Sequence, residues 1–379
     1  MNPPCITGRC KRGQYSRDRQ AEPDGGGAAQ GQIPKARILN IGSLNLDFIL
    51  RVEHHPALSD HVDATEEQRM PGGHGANQAV ACARLSRFSP SSTADIDIKV
   101  ILIGAIGAKD DFGKQICETL EESGVDVSNV HTIPDVHTGY AHITLDVSGI
   151  PKIVTFAGAN AFLKPDMFME FPSKPSKPDL LLLQLEIPLN TVEHLARLAK
   201  QASVPVLLNA APSKHITRDM YLLVDHLVIN EIQADFLTGF GDLPYRDRAT
   251  QKYEIQQHYM KACDHFHGLG VQNVIITMGE LGAMGSILEK SSGRKLRYSA
   301  EGAVGRKGVQ DTTGGSDTFI GGYAVELVHQ ARLGLEPNMG KAIEFGVRAA
   351  GMCVGCIGST PGIPWRAEVE KEAFTNALN

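Results

Sequence analysis

The stretch Asp311-Thr312-Thr313-Gly314-Gly315-Ser316-Asp317-Thr318-Phe319 sets small residues and a carboxylate just ahead of an apolar run, Ile320 to Val328, that reads as a helix. Backbone N–H groups at a glycine-rich helix start point outward together at the positive end of the macrodipole, where they can hold a phosphate or a developing oxyanion. An anion nest made by Gly314, Gly315 and Ser316, with Asp317 beside it to accept a hydroxyl proton, suits phosphoryl transfer to an alcohol. The same residues also make an ordinary tight turn followed by a helix-start acid. No Gly-Lys-Ser/Thr follows, so the loop is not a Walker A motif, and no Gly-x-Gly-x-x-Gly after a strand supports a dinucleotide fold.

Two further blocks carry polar groups at strand-to-helix edges. Gly42-Ser43-Leu44-Asn45-Leu46-Asp47 follows an apolar run, and Pro71-Gly72-Gly73-His74-Gly75-Ala76-Asn77-Gln78 opens a helix-like segment. In open α/β sheets ligands bind at the carboxyl ends of the strands. Asn45, Asp47 and Asn77 offer donors and acceptors for vicinal hydroxyls, and Gly72 and Gly73 allow close approach to a ring. Each is equally common as a turn or cap residue.

The elements that must position these residues are legible as a rhythm. Apolar runs at Ile38 to Ile41, Val100 to Ile106, Leu180 to Leu185, Val204 to Asn209, His226 to Ile229 and Val274 to Met278 suit parallel strands buried on both faces. Amphipathic segments at Ala76 to Leu85, Gly113 to Ser123, Pro188 to Gln201 and Gln256 to His267 alternate with them. The expected fold class is therefore α/β: a three-layer α/β/α sandwich around a mainly parallel sheet. Two stretches, Asp47 to Val52 and Ala141 to Phe156, alternate with period two and predict a small separate β-sheet. Residues 1–35, rich in Gly, Pro, Gln and charge, read as a disordered tail.

Composition excludes several classes. A net charge of -6 without a dense Lys/Arg block leaves no electrostatic footprint for nucleic acid or an anionic membrane. No apolar run nears the roughly 20 residues of a membrane span. The basic N-terminus lacks a following apolar region and contains Asp18, Glu22 and Asp24, which argues against a secretory or transit segment. Seven scattered cysteines fit reduced thiols and a cytoplasmic location, with nothing that speaks against the nucleus. Cys353 and Cys356 form a lone Cys-x-x-Cys without a second ligand pair, and read as helix-borne thiols without a redox role.

In order, the blocks Gly42 to Asp47, Gly72 to Gln78, Asp110-Asp-Phe-Gly113, Ala157-Gly-Ala-Asn160, Gln184-Leu-Glu186, Leu208 to Pro212, Asn230-Glu231, Thr277-Met-Gly279, Asp311 to Phe319 and Ile363-Pro-Trp365 resemble the ribokinase-like (PfkB) carbohydrate kinases, over about Ala36 to Glu370. The resemblance leans toward their ribokinase branch. It implies a kinase domain over 36–370 with β-lid segments at about 47–70 and 138–157, and a short C-terminal end, 371–379. It implies ATP-dependent phosphorylation of the primary O5 hydroxyl of D-ribose, with Asp317 as catalytic base. Implied sugar contacts are Asn45, Asp47, Gly73, His74, Gly75, Ala76 and Asn77. Implied ATP contacts are Asn230, Thr277, Met278, Gly279, Glu280, Leu281, Gly282, Ser316, Asp317 and Val347. A divalent Mg²⁺ accompanies the nucleotide, and a monovalent K⁺ site maps to Asp311, Thr313, Cys353, Cys356, Gly358 and Gly362. The resemblance also implies a homodimer formed through the lid, with no nucleic-acid or membrane partner.

Four departures from the family's pattern stand out. Ser316 replaces a glycine, which would be strained if that position required a positive φ. Gln233 replaces the distal Glu of an Asn-x-x-Glu motif, lowering the expected affinity for Mg²⁺. His74 replaces a Lys, and Ile150 falls where a lid Glu is expected to reach the sugar. These leave two alternatives: a kinase for another sugar or a nucleoside, or a catalytically impaired sugar- or nucleotide-binding relative.

Overall fold

The computed structural model describes residues 36–89, 98–147, 149, 151–172, 176–241, 251–289, 291–302 and 308–376. The expectations for residues 1–35 and Ile150 lie outside the described residues. An eight-stranded sheet forms the centre. Six strands run parallel, in the spatial order Ile98–Ile103, Ala36–Ile41, Leu180–Gln184, Val206–Asn209, His226–Asn230 and Asn273–Thr277. Ala283–Leu288 and Lys295–Ala300 extend it antiparallel.

These strands are apolar at both parities because each face meets a helical layer. Ile38, Leu180, Leu182, Leu207, Val228 and Ile275 point into one core, shared with the helices His74–Leu85, Phe112–Glu122, Gly315–Arg332 and Met339–Cys353. Their neighbours Leu39, Leu181, Leu183, Leu208, Leu227 and Ile276 point into the other, with the helices Leu189–Gln201 and Lys252–Gly268. Continuous hydrophobic runs are what such two-sided burial requires.

Helix packing brings the two motif-bearing helix starts together. Gly321 lies so close to the helix His74–Leu85 that a Cβ on it would fall 2.3 Å from the Cβ of Ala81, so only glycine permits this approach. Bare contact here lets the first turns of both helices, carrying His74 and Asp317, converge at the carboxyl edge of the sheet.

A second sheet of four strands, in the order Glu66–Gly72, Asn45–Arg51, Gly139–Leu145 and Pro151–Phe156, corresponds to the period-two stretches. Its inner face holds a small core of Ile49, Met70, Ala141, Ile143 and Leu145. Its outer face carries Phe48 stacked on His142 and Tyr140 stacked on Phe156. The last helix, Arg366–Asn376, runs through the expected boundary at 370. Among the described residues no helix is long and apolar enough to cross a membrane, and Cys82, Cys263, Cys353 and Cys356 are free thiols.

Candidate active site

Asp317 is the third residue of the helix Gly315–Arg332, 4 % exposed, and three side chains donate to its carboxylate. His74 Nδ1 lies 3.0 Å from Oδ1, Gln78 Nε2 donates to the same oxygen at 2.8 Å, and Asn77 Nδ2 donates to Oδ2 at 3.1 Å. All three donors sit in the first two turns of the helix His74–Leu85. The N-terminal turns of two helices therefore meet at one buried carboxylate.

Burial alone would hold the His74 imidazole neutral, but the charge and hydrogen bond of Asp317, with help from Glu186 and Asp47, push it up to about 10. His74 is thus an imidazolium at neutral pH. Asp47 moves the other way from its usual range: burial, reinforced by the nearby Glu186, pushes its carboxyl up to about 8.

A cavity of about 390 Å³ opens over this cluster, lined by Asn45, Asp47, Gly73, His74, Asn77, Glu186 and Asp317. The lid provides its ceiling through Ala141, Ile143, Ile153 and Thr155. Carboxylates and amides at the base and apolar atoms above match a small polyhydroxylated ring with a polar edge and an apolar face. Glu186 organises the floor: it accepts from Ser43 Oγ at 2.5 Å, Asn45 Nδ2 at 3.1 Å and the backbone N–H of His74 at 2.9 Å. Asn160, fully buried, orients Asn45 by donating to its Oδ1 at 2.8 Å.

A second cavity, about 220 Å³, lies on the other side of the same helix start. Thr277, Gly279, Glu280, Gly282, Ser316 and Val347 line it, together with Gly302, Val309, Phe319 and Val354. Thr312 and Ser316 line both cavities. The helix start between them has its positive φ at Gly314 (81°), where a Cβ would also fall 2.7 Å from Ser359. Ser316 lies one residue into the helix and outside the positive-φ set, so the strain foreseen for its Cβ does not arise. The N–H groups of Ser316 and Asp317, in the first turn, have no intrahelical carbonyl to bond. That of Gly315 already donates to Thr312 O at 3.2 Å, which removes one expected member of the anion nest.

Other expected contacts also fall elsewhere. Gly75 and Ala76 are buried beneath the sugar-sized cavity, where their N–H groups bond Ser43 Oγ (3.2 Å) and Ser43 O (2.9 Å); they brace the Gly42–Asp47 loop and do not line the cavity. Met278 and Leu281 turn into the core beneath the second cavity, since the short helical turn Gly279–Leu281 presents only Gly279 and Glu280 outward. Asn230 caps its own helix, accepting from Gln233 N at 2.8 Å while Gln233 Oε1 accepts from Asn230 N at 2.9 Å, so neither side chain lines the cavity. Glu186 and Gln78 were missing from the expected site. Both lie in matched sequence blocks, and Glu186 follows the carboxyl end of a buried strand, which is the signal that could have found it.

The residues of the expected cation loop do gather. Asp311, 1 % exposed, accepts N–H groups from Thr313 (2.9 Å) and Gly358 (2.8 Å). Cys353 Sγ lies 4.0 Å from Thr313 O and 3.9 Å from Ser359 O, and a Cβ on Gly362 would fall 2.7 Å from Cys353 O. Cys353 ends its helix and Cys356 lies in the turn beyond it, a correction to the reading of both as helix-borne. Burial pushes the Cys353 thiol up to about 12, so it is no thiolate ligand at neutral pH.

With this geometry in place, comparison with known proteins is informative. The model of the pfkB family of carbohydrate kinases matches residues 35–366. The chain is 32 % identical over 328 residues to a ribokinase of Haemophilus influenzae, covering 86 % of this chain and 95 % of that one. It is 31 % identical over 335 residues to a ribokinase of Schizosaccharomyces pombe, covering 88 % and 96 %. The structure of Arabidopsis thaliana ribokinase complexed with ribose and ATP superposes with a TM-score of 0.69 at 27 % identity, covering 89 % of this chain and 98 % of that one. A match over most of the chain, in sequence and in fold, makes this protein a member of the pfkB family of carbohydrate kinases.

Proposed function

We propose that this protein transfers the γ-phosphoryl group of ATP to the primary O5 hydroxyl of D-ribose. One observation carries the reading: two cavities, one lined by hydroxyl-binding side chains and one suited to a nucleotide, share the wall Thr312 and Ser316 beside the buried carboxylate of Asp317. In this reading Asp317 takes the proton of the attacking hydroxyl. The free N–H groups of the first turn, at the positive helix end, balance charge on the transferring group. Asn45, Asp47, Glu186, Asn77 and the His74 imidazolium orient the sugar, and the lid excludes water that would otherwise divert the phosphoryl group. Thr277, Gly279, Glu280, Gly282 and Val347 seat the nucleotide. The ribose and ATP named with the Arabidopsis relative agree with both assignments.

The implied ions differ in how well the chain suits them. Gln233 is engaged in the cap of its helix, so the Asn230 to Gln233 segment does not fit direct coordination of Mg²⁺, which would travel on the ATP phosphates with its waters. The loop at 311–313 and 353–362 fits K⁺: a buried carboxylate and backbone oxygens are hard donors, with Asp311 supplying charge and Thr313, Cys353, Cys356, Gly358 and Gly362 backbone oxygens. When bound, such a cation offsets the charge of Asp311 next to the anion nest. We further infer a kinase domain over 36–370 with the four-stranded sheet as its lid, pairing of two copies through that lid, and a cytoplasmic location.

The test is ADP release with MgATP, K⁺ and a panel of ribose, deoxyribose, fructose and adenosine. A ribose-dependent signal is expected, and Asp317→Asn is expected to lower it by about 10²- to 10⁴-fold while sugar still raises the melting temperature. A different active substrate moves the specificity within the family. Sugar-induced stabilisation without ADP release sinks the kinase reading for this chain.

A further inference from the structure

One buried polar chain touches the reacting centre without reaching either cavity. Gln78, fully buried, spends both hydrogens of its amide nitrogen: one on Asp317 Oδ1 (2.8 Å) and one on Asn209 Oδ1 (3.1 Å). Its Oε1 accepts from Gln184 Nε2 at 2.7 Å, whose other hydrogen goes to Asn40 Oδ1 at 3.0 Å. The chain ends on backbone: Asn40 Nδ2 donates to Gly75 O at 2.8 Å and Asn209 Nδ2 to Val228 O at 2.9 Å. Asn40, Gln184 and Asn209 stand near the carboxyl ends of three adjacent strands, with Gln184 and Asn209 in direct register.

This arrangement has only one consistent orientation. Turning the Gln78 amide over would set its carbonyl against the Asp317 carboxylate and its NH₂ against the NH₂ of Gln184. Each neutral amide therefore fixes the next, and the sheet edge dictates that Gln78 donates to Asp317. With Gln78 and His74 both on Oδ1, that oxygen is filled by the protein, while Oδ2 holds Asn77 alone and keeps a lone pair for an incoming hydroxyl.

We propose that Gln78 is a positioning residue that commits Asp317 Oδ1 to the sheet, so that Oδ2 is the oxygen that takes the sugar proton. The amide chain sets the rotamer of the base without placing another charge beside it. The proposal rests on the kinase reading, in which Asp317 is the base.

ADP release by the unmodified protein is measured first; its absence removes that reading and this proposal with it. Given activity, Gln78→Met keeps the side-chain length and deletes the donor. Its kcat is expected to fall about 10- to 100-fold, the worth of one hydrogen bond to a charged group, with KM for sugar and ATP within about 3-fold of the unmodified protein. Gln78→Glu adds a second signature. Its protonated carboxyl donates where the amide did and its ionised form faces Asp317, so its activity is expected to recover relative to the unmodified protein as pH falls, with His74 and Asp317 as the charged groups nearby. A kcat within about 2-fold of the unmodified protein, or a loss confined to KM, overturns the proposal. If neither Gln78 variant folds, Gln184→Met leaves Gln78 in place but unanchored: a lowered kcat with unchanged KM supports the chain, and an unchanged kcat overturns it.

Discussion

The two cavities that meet at Thr312 and Ser316 are built on different principles. The sugar-sized one is organised by side chains: Glu186 gathers Ser43, Asn45 and His74, and Asp317 gathers His74, Asn77 and Gln78. The nucleotide-sized one is walled largely by glycines, short side chains and apolar surface, including Gly279, Gly282, Gly302, Val347 and Val354. A floor of interlocked charges is rigid and selective, because removing one group leaves its partners unsatisfied. Walls of backbone and methyl groups select by shape and tolerate exchange of similar volumes.

That contrast can be broken by experiment. The largest effect is expected from Glu186→Gln, which keeps the shape but weakens three hydrogen bonds: KM for the sugar rises about 10- to 100-fold while KM for ATP holds. Equal losses for both substrates would show that the two cavities are not independent. A smaller effect is expected from Val347→Phe, which adds volume where Val347 is already packed. KM for ATP rises by about 10-fold, the cost of modest overpacking, and sugar-induced thermal stabilisation is unchanged. Sugar binding lost in this variant would mean that strain passes through the shared wall.

The smallest effect concerns pH. The folded protein holds the His74 proton up to about 10, above the ordinary 6.5 of histidine. Its stabilising contribution is therefore complete below about 6.5 and is lost as pH rises through about 10. Melting temperatures recorded from pH 7 to 10.5 should fall more steeply for the unmodified protein than for His74→Gln. Parallel curves would show that the His74 and Asp317 pair adds nothing to stability.

The same contrast governs what the sequence made legible. Asp317, His74, Asn77, Asn45 and Asp47, expected from short local motifs, do come together around one cavity through their side chains. The alternating cores of the central sheet were equally plain, since two-sided burial leaves a continuous apolar run. Around the nucleotide cavity the reading was poorer. Which residues of the turn 277–282 face out depends on the positive φ of Gly279 and Gly282, so Met278 and Leu281, expected at the nucleotide, lie buried beneath the cavity instead of lining it. Ser316 looked strained because the motif does not say which of its residues bears the left-handed turn; Gly314 does. Glu186 and Gln78 reach Asp317 and its neighbours only through contacts spanning more than 100 residues, which no local pattern encodes.

The lid supplies the ceiling, Ala141, Ile143, Pro151, Ile153 and Thr155, and through its strand Asn45–Arg51 two polar groups of the wall, Asn45 and Asp47, whereas Asp317 and its donors stand on helices of the body and Glu186 follows a central strand. The buried carboxylate and the apolar ceiling above it thus stand on different pieces of chain. A duplicated gene could drift at the ceiling positions alone, exploring new rings against an unaltered buried carboxylate and its three donors.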